Sequence, residues 1–167
     1  MRSPTPRASG PLRRRVALAL ALTVVILDQL SKQWALRHLV WGRAEPFWPG
    51  LLDLQLVHNT GAAFSLFTGL PRLLGLVSLA VSLAVVFWIG RHPPQGRWDC
   101  LAFGFLLGGA LGNGIDRWRL GAVVDFLALV PIQFPVFNLA DVAINLAVLC
   151  FVLHLSPWRR SGKTNDG

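Results

Sequence analysis

Residues 16–32 read VALALALTVVILDQLSK, an apolar run that ends in an aspartate and a lysine, Asp28 and Lys32. The apolar character continues to about Leu36, close to the roughly 20 residues that a helix needs to cross a bilayer. Asp28 and Lys32 stand four residues apart with the acid first, the favourable order for an ion pair on a helix. The stretch therefore predicts a membrane helix that carries its own ion pair.

Three further apolar stretches predict that the chain is a mainly α-helical membrane protein with four transmembrane helices. They run from about Leu73 to Ile89, from about Leu101 to Ile115, and from about Phe137 to Leu155. Of the 167 residues, 53% are hydrophobic and 14% are charged, whereas about a quarter of the residues in a soluble domain are charged. We expect one transmembrane domain over residues 13–158, a disordered tail at 1–12 and a basic tail at 159–167.

The positive charges predict how the helices are oriented. Lys and Arg number 16 against 8 Asp and Glu, and 10 of the 16 lie before the first stretch, between the second and third, or after the fourth. Because cationic segments stay on the cytoplasmic side, both termini are expected there, with residues 37–72 and 116–136 outside. The clustering of the cations at helix ends also argues against nucleic acid as a partner. No small-residue cleavage site follows the first apolar core, so we expect a retained anchor.

The segments assigned to the outer side contain two candidate surface structures. Leu52–Leu56 alternates apolar and polar residues, which is the period of a strand. A turn candidate, Asn59-Thr60-Gly61, and a second apolar segment, Ala62–Leu66, follow it, so we expect a small sheet or hairpin. Gly121–Val130 is too short to span a bilayer and is expected to form an interfacial strand or helix.

Four acids lie in or beside the apolar stretches, where an ionised group is costly and is rarely kept without a task. Counting along the helices places all four at the outer side: Asp28, Asp116, Asp125 and Asp141. Asp28 has Lys32 as a partner, and Asp116 has Arg117 as a neighbour with which it can pair at a frayed helix end. Asp125 and Asp141 have no cation within four residues. By exclusion, these two acids are expected to interact with each other.

Two carboxyl groups in one site cannot both ionise cheaply, so one of them keeps its proton near neutral pH. Such a pair supplies one base and one acid, as in aspartic proteases. Hydrogen-bonded contacts between helices and a path for ions or protons are two alternative roles for intramembrane acids. The chain has no zinc-protease, serine-hydrolase or P-loop motif, and Cys100 and Cys150 have no metal or redox spacing. We therefore expect no metal site.

Five sequence blocks, in order, resemble the lipoprotein signal peptidase (signal peptidase II) family over Val16 to about Leu155. They are DQLSK at 28–32, NTGAAFS at 59–65, GGALGNGIDR at 108–117, VVDF at 123–126 and FNLAD at 137–141. The resemblance implies a bacterial aspartyl endopeptidase that uses no metal or cofactor. Its substrate would be a diacylglyceryl-prolipoprotein, cut just before the lipidated Cys.

The resemblance also implies roles for individual residues and a location. The catalytic aspartates would be Asp125 and Asp141. The supporting positions would be Asn59, Asn113, Arg117, Asn138, Asp28, Lys32 and Asp116. The implied fold has four transmembrane helices, a small extracytoplasmic β-cradle at about 40–70, an outer loop at about 116–136 and a short interfacial helix. We expect a monomer in the bacterial cytoplasmic (inner) membrane, in contact with membrane lipid, with its active site near the outer face.

Overall fold

A computed structural model describes residues 10–61, 67 and 69–155 of the chain. In these ranges four helices and one three-stranded antiparallel sheet are formed. The helices are α1 (Gly10–His38), α2 (Pro71–Arg91), α3 (Arg97–Leu120) and α4 (Leu139–Leu155), and the strands are β1 (Ala44–Trp48), β2 (Leu52–Asn59) and β3 (Val123–Leu129). The predicted mainly helical architecture is confirmed.

The four helices correspond to the four apolar stretches, but the apolar pattern did not predict the residues at which each helix begins and ends. α1 and α2 are each long and apolar enough to cross a membrane, and α4 is a shorter apolar helix of 17 residues. α3 extends past the predicted end at Ile115 to Leu120, where Gly121 adopts a left-handed conformation (φ 70°). The Gly121 N–H bonds to the Arg117 carbonyl at 3.2 Å. Such a glycine ends a helix because it has no Cβ to oppose a positive φ.

α3 packs against each of the other three helices, and its glycines bring the α1 backbone close. A Cβ added at Gly104 would lie 2.9 Å from the carbonyl oxygen of Ala17, and one added at Gly108 would lie 2.9 Å from that of Ala21. These small residues therefore form a packing face that lets the two helix backbones approach closely. At Gly112 the added Cβ would lie 2.6 Å from Asp28 Oδ2, so the same packing face holds the Asp28 carboxyl against α3.

Replacing Gly108 with alanine is expected to destabilise the fold by roughly 1–3 kcal/mol through overpacking. The new Cβ would lie 2.6 Å from Val24 Cβ as well as against α1 backbone. Gly90→Ala is the matched control, because Gly90 is also helical and has no atom within 4 Å of an added Cβ. Thermal unfolding in detergent micelles measures both variants. Equal melting temperatures for the two would contradict the close packing of α1 and α3.

The sheet has β2 at its centre, with β1 and β3 antiparallel on either side. The strand predicted at Leu52–Leu56 is confirmed and continues to Asn59. The partner of β2 in the described hairpin is β1, whereas the predicted second arm, Ala62–Leu66, falls outside the described residues. The segment that was expected to be an interfacial strand or helix is the strand β3. The described residues contain no short interfacial helix.

An apolar cluster fixes the sheet on the end of α1. Ala35 of α1 is buried together with Leu56 of β2 and with Val124 and Phe126 of β3. Since side chains alternate across a strand, Asp125, between Val124 and Phe126, points to the opposite face. The packing of the sheet on α1 thus determines where Asp125 lies.

Asp99 lies at the other end of the helix bundle, in the first turn of α3. Its Oδ2 accepts a hydrogen bond from the Gln95 N–H at 2.9 Å, next to the start of α3. Its Oδ1 also lies 2.8 Å from His154 Nδ1. This contact joins the end of α4 to the start of α3.

Candidate active site

A buried ion cluster ties α1 to α3. Lys32 Nζ lies 2.9 Å from Asp28 Oδ2 and 2.8 Å from Asp116 Oδ2, and all three side chains are nearly fully buried. Gln29 Nε2 donates to Asp116 Oδ1 at 3.0 Å. The predicted pair of Asp28 with Lys32 is confirmed. The predicted pairing of Asp116 with Arg117 is wrong, because Lys32 reaches Asp116 from α1 and Arg117 donates to backbone carbonyls instead.

Lys32 also fixes the orientation of the Asn113 amide. Its Nζ donates to Asn113 Oδ1 at 3.0 Å. Because an ammonium group can only donate hydrogen bonds, the amide oxygen must face Lys32 and the amide nitrogen must face away. Asn113 Nδ2 then donates to Asp141 Oδ1 at 2.7 Å. The ion cluster is thereby connected to Asp141 through a single amide of known orientation.

Asn138 and Asp141 form a reciprocal cap at the start of α4. The Asp141 N–H donates to Asn138 Oδ1 at 3.0 Å, and the Asn138 N–H donates to Asp141 Oδ2 at 3.1 Å. This capping box satisfies two backbone donors that the first helical turn leaves unpaired. α4 therefore begins after Asn138, slightly later than predicted. The box also holds the Asp141 carboxyl in one position.

The same Asn138 side chain connects the two acids that were predicted to interact. With its oxygen used in the cap, Asn138 Nδ2 donates to Asp125 Oδ1 at 2.6 Å and to Asn113 Oδ1 at 3.0 Å. Asn138 is fully buried, so these bonds form away from water. A network of amides thus joins a strand carboxyl to a helix carboxyl.

Asp125 is the more buried of the two acids, with 2% of its surface exposed. Its Oδ2 accepts a hydrogen bond from Asn59 Nδ2 at 3.0 Å. The pKa of Asp125 is raised from 3.8 to about 7, mainly by burial and secondly by the charge of Asp141. The hydrogen bonds from Asn59 and Asn138 lower this pKa, but by less than the other two causes raise it. The Asp125 carboxyl therefore keeps its proton up to about neutral pH.

Both acids line one cavity of about 580 Å³. The other polar groups in its lining are Asn59, Asn113, Arg117 and Asn145. Three of these four were predicted as supporting residues, and Arg117 also donates to the Gly61 carbonyl at 3.3 Å. The remaining predicted residues, Asp28, Lys32, Asp116 and Asn138, are buried outside this lining. The cavity therefore brings together two carboxyl groups, of which Asp125 has a raised pKa, and leaves room for a substrate.

The sequence missed one polar residue of the lining and one wall. Asn145 lies four residues after Asp141, and this spacing predicts that the two share a face of α4, although Asn145 was not among the predicted site residues. The wall formed by 134–137 is made of apolar residues and proline, which carry no chemical signal in a sequence. The described residues contain no group of three or more His, Cys, Asp or Glu side chains placed to hold a metal ion.

Asp125→Asn is expected to gain stability relative to the parent chain as pH rises. The folded pKa of Asp125, about 7, lies above its ordinary value of 3.8. Such a group supports the fold when protonated and destabilises it as pH rises through the folded pKa, whereas asparagine cannot ionise. The melting temperatures of both chains at about pH 5 and about pH 8 test this. The advantage of the variant should grow by about 2 °C or more, and an unchanged difference would contradict the raised pKa.

Comparison with known proteins identifies the family. The model of the signal peptidase (SPase) II family matches residues 20–156. The lipoprotein signal peptidase of Parasynechococcus marenigrum (strain WH8102) is 57% identical over 152 residues, covering 91% of this chain and 96% of that protein. That of Synechococcus sp. (strain RCC307) is 58% identical over 134 residues, covering 80% and 89%. A bacterial membrane enzyme solved by the in meso method at 2.3 Å superposes with a TM-score of 0.80 at 27% identity, covering 90% of this chain and 93% of that one. The chain therefore belongs to the signal peptidase II family and is a membrane peptidase.

Proposed function

We propose that this chain removes the signal peptide from diacylglyceryl-modified prolipoproteins, by cleaving the peptide bond just before the lipidated Cys. Membership in the signal peptidase II family supports a peptidase that acts on prolipoproteins. The observation that carries the catalytic assignment is that Asn138 holds both carboxyls. It donates to Asp125 through Nδ2 and to Asp141 through its backbone N–H, and the two acids line one cavity. Paired carboxyls of this kind can hydrolyse a peptide bond without a metal or cofactor.

In the proposed mechanism the two aspartates have different starting states. Asp125 is more buried and its pKa is raised to about 7, so it holds the proton. Asp141 is less buried and accepts hydrogen bonds from Asn113 Nδ2 and from the Asn138 N–H, so we assign it the role of the base. Asp141 takes a proton from water as the water oxygen attacks the scissile carbonyl carbon. Asp125 protonates the carbonyl oxygen, which gives a diol intermediate. As the C–N bond breaks, the proton on Asp141 passes to the leaving amine and one hydroxyl of the diol returns a proton to Asp125, which restores the starting state.

The supporting residues are proposed to hold this pair in place. Asn59 binds Asp125 from the end of β2. Asn113 holds Asp141 in the orientation that Lys32 imposes, and Lys32 is in turn held by Asp28 and Asp116. Arg117 anchors the end of β2 through the Gly61 carbonyl. Positioning of this kind lowers the barrier because the reacting groups need not reorganise.

We propose that all four helices cross the bacterial inner membrane, with both termini in the cytoplasm and the sheet as an outer β-cradle. The positions of the cations support this orientation, and large exposed apolar side chains on α2, such as Leu79, Leu83 and Phe87, suit contact with lipid. The catalytic pair lies at the sheet end of the bundle, which this orientation puts at the bilayer surface. The scissile bond, next to the lipidated Cys of the substrate, is expected at the same depth. A monomer contains every proposed catalytic residue.

The alternative of an ion or proton path has less support. Such a path needs acids distributed through the membrane depth. The four acids instead cluster at one end of the bundle. Asp99, near the start of α3, bonds to the backbone and to His154.

Cleavage of a synthetic lipobox peptide by the purified full chain tests the proposal. The diacylglyceryl-modified peptide should be cut before its Cys, and the same peptide without lipid should be cut at least about tenfold more slowly, because apolar burial of the chains contributes roughly 0.8 kcal/mol per CH₂. Activity should persist in EDTA. Loss of activity in EDTA with recovery on adding zinc would contradict the proposed metal-free mechanism, and equal cleavage of both peptides would contradict lipid recognition.

A further inference from the structure

Asn145 is a polar side chain in an otherwise apolar part of the cavity wall. It is exposed, and the same helix contributes the apolar residues Ile144, Leu146 and Leu149 to the lining. Its Nδ2 donates to the backbone oxygen of Asp141 at 2.9 Å. This bond uses one of the two amide N–H groups. Among the described residues, the second N–H and the Oδ1 have no hydrogen-bond partner.

Because Asn145 is exposed, its unpaired amide groups carry a free-energy cost only when an apolar ligand fills the cavity and excludes water. A polar group removed from water without a partner costs on the order of 1–3 kcal/mol by protein data. The apolar residues beside Asn145 show that this part of the wall does not otherwise require polarity. A ligand that brings a hydrogen-bond acceptor into the apolar part of the cavity would satisfy the second N–H.

The position of Asn145 along α4 limits where that acceptor lies. Four residues of helix separate it from Asp141, about 6 Å along the axis, on the side away from the sheet. In a diacylglyceryl-Cys, the thioether and glyceryl bonds between the scissile nitrogen and the first ester group span roughly 6–8 Å. With the scissile bond at Asp141, the ester carbonyls reach the depth of Asn145. The acyl chains would then continue along Leu146 and Leu149.

We infer that Asn145 donates a hydrogen bond to an ester carbonyl of the diacylglyceryl group and is a specificity-determining residue for ester-linked lipid anchors. This inference rests on the proposed function and deepens it. The apolar wall binds the acyl chains whatever their linkage. Asn145 adds a contact that depends on the acyl carbonyl.

Two lipobox peptides that differ in one chemical feature test the inference. One carries a diacylglyceryl group with ester linkages, and the other carries a dialkylglyceryl group of the same chain length with ether linkages and no carbonyl. For the parent chain, kcat/KM should be roughly 2–10-fold higher for the ester peptide, the value of one hydrogen bond. The difference should appear mainly in KM, because the contact is remote from the reacting atoms. For Asn145→Leu the ratio should fall to about one.

Two further variants serve as controls. Asn145→Gln keeps an amide and should retain a ratio above one. Leu149→Ala removes apolar surface from the same wall and should lower kcat/KM for both peptides by the same factor. The ratio does not depend on the fraction of active enzyme, so partial misfolding does not alter it. A ratio near one for the parent, or an unchanged ratio in Asn145→Leu, would overturn the inference, whereas cleavage of neither peptide by the parent would overturn the proposed function.

Discussion

Asp125→Asn and Asp141→Asn are each expected to reduce cleavage of a diacylated lipobox peptide by roughly 10²–10⁴-fold, to the limit of detection. Asparagine has nearly the same shape as aspartate and can occupy the same positions in the amide network. It cannot take a proton from water or give one to a carbonyl oxygen at neutral pH. Each variant therefore removes one half of the proton transfer while leaving the cavity in place.

Initial rates with purified chains in the same micelles measure this effect. Asp53→Asn is the matched control, because Asp53 lies on β2 of the same sheet and is absent from the cavity lining. It should retain the rate of the parent chain. The two cavity variants should still insert in the membrane and unfold cooperatively. Parental activity in a folded Asp125→Asn or Asp141→Asn chain would remove that residue from the catalytic pair.

Local sequence features were enough to predict the helical fold and to select two acids, which line one cavity. Apolar length indicated the four helices, and the four-residue spacing of Asp28 and Lys32 indicated their ion pair. The absence of nearby cations singled out Asp125 and Asp141. These are short-range properties, which a sequence displays directly. The resemblance to a family added the supporting residues, whose roles stay predictions; in the structure Asn59, Asn113 and Asn138 bond to one or both acids.

Long-range partners could not be predicted, because they depend on how the helices pack. Lys32 contacts Asp116 although the two residues are 84 positions apart in the sequence. The prediction that the adjacent Arg117 pairs with Asp116 was therefore wrong. The orientation of Asn113 follows from Lys32 on one side and Asp141 on the other, and neither contact is local. The apolar wall at 134–137 carries no chemical signal at all.

Lys32→Met is expected to destabilise the fold by roughly 3–5 kcal/mol, the usual cost of removing one partner from a buried ion cluster. The variant would leave the Asp28 and Asp116 carboxyls buried without the cation that lies 2.9 and 2.8 Å from them. Methionine has a similar length and keeps the apolar stem of the side chain packed.

Asp28→Asn is also expected to lower stability or yield while activity remains. A folded but inactive Asp28→Asn chain would instead place Asp28 among the catalytic residues.

Arg43→Met is the matched control for the Lys32 variant. Arg43 Nε lies 3.7 Å from Glu45 Oε1, and the two side chains are 70% and 41% exposed, so solvent screening limits their pair to about 1 kcal/mol or less. Thermal unfolding should therefore show a drop of roughly 6–20 °C for Lys32→Met and little change for Arg43→Met. Activity of Lys32→Met, measured well below its melting temperature, should also fall, because Asn113 loses the donor that directs its Nδ2 to Asp141. A parental melting temperature for Lys32→Met would show that the ion cluster does not hold α1 and α3 together.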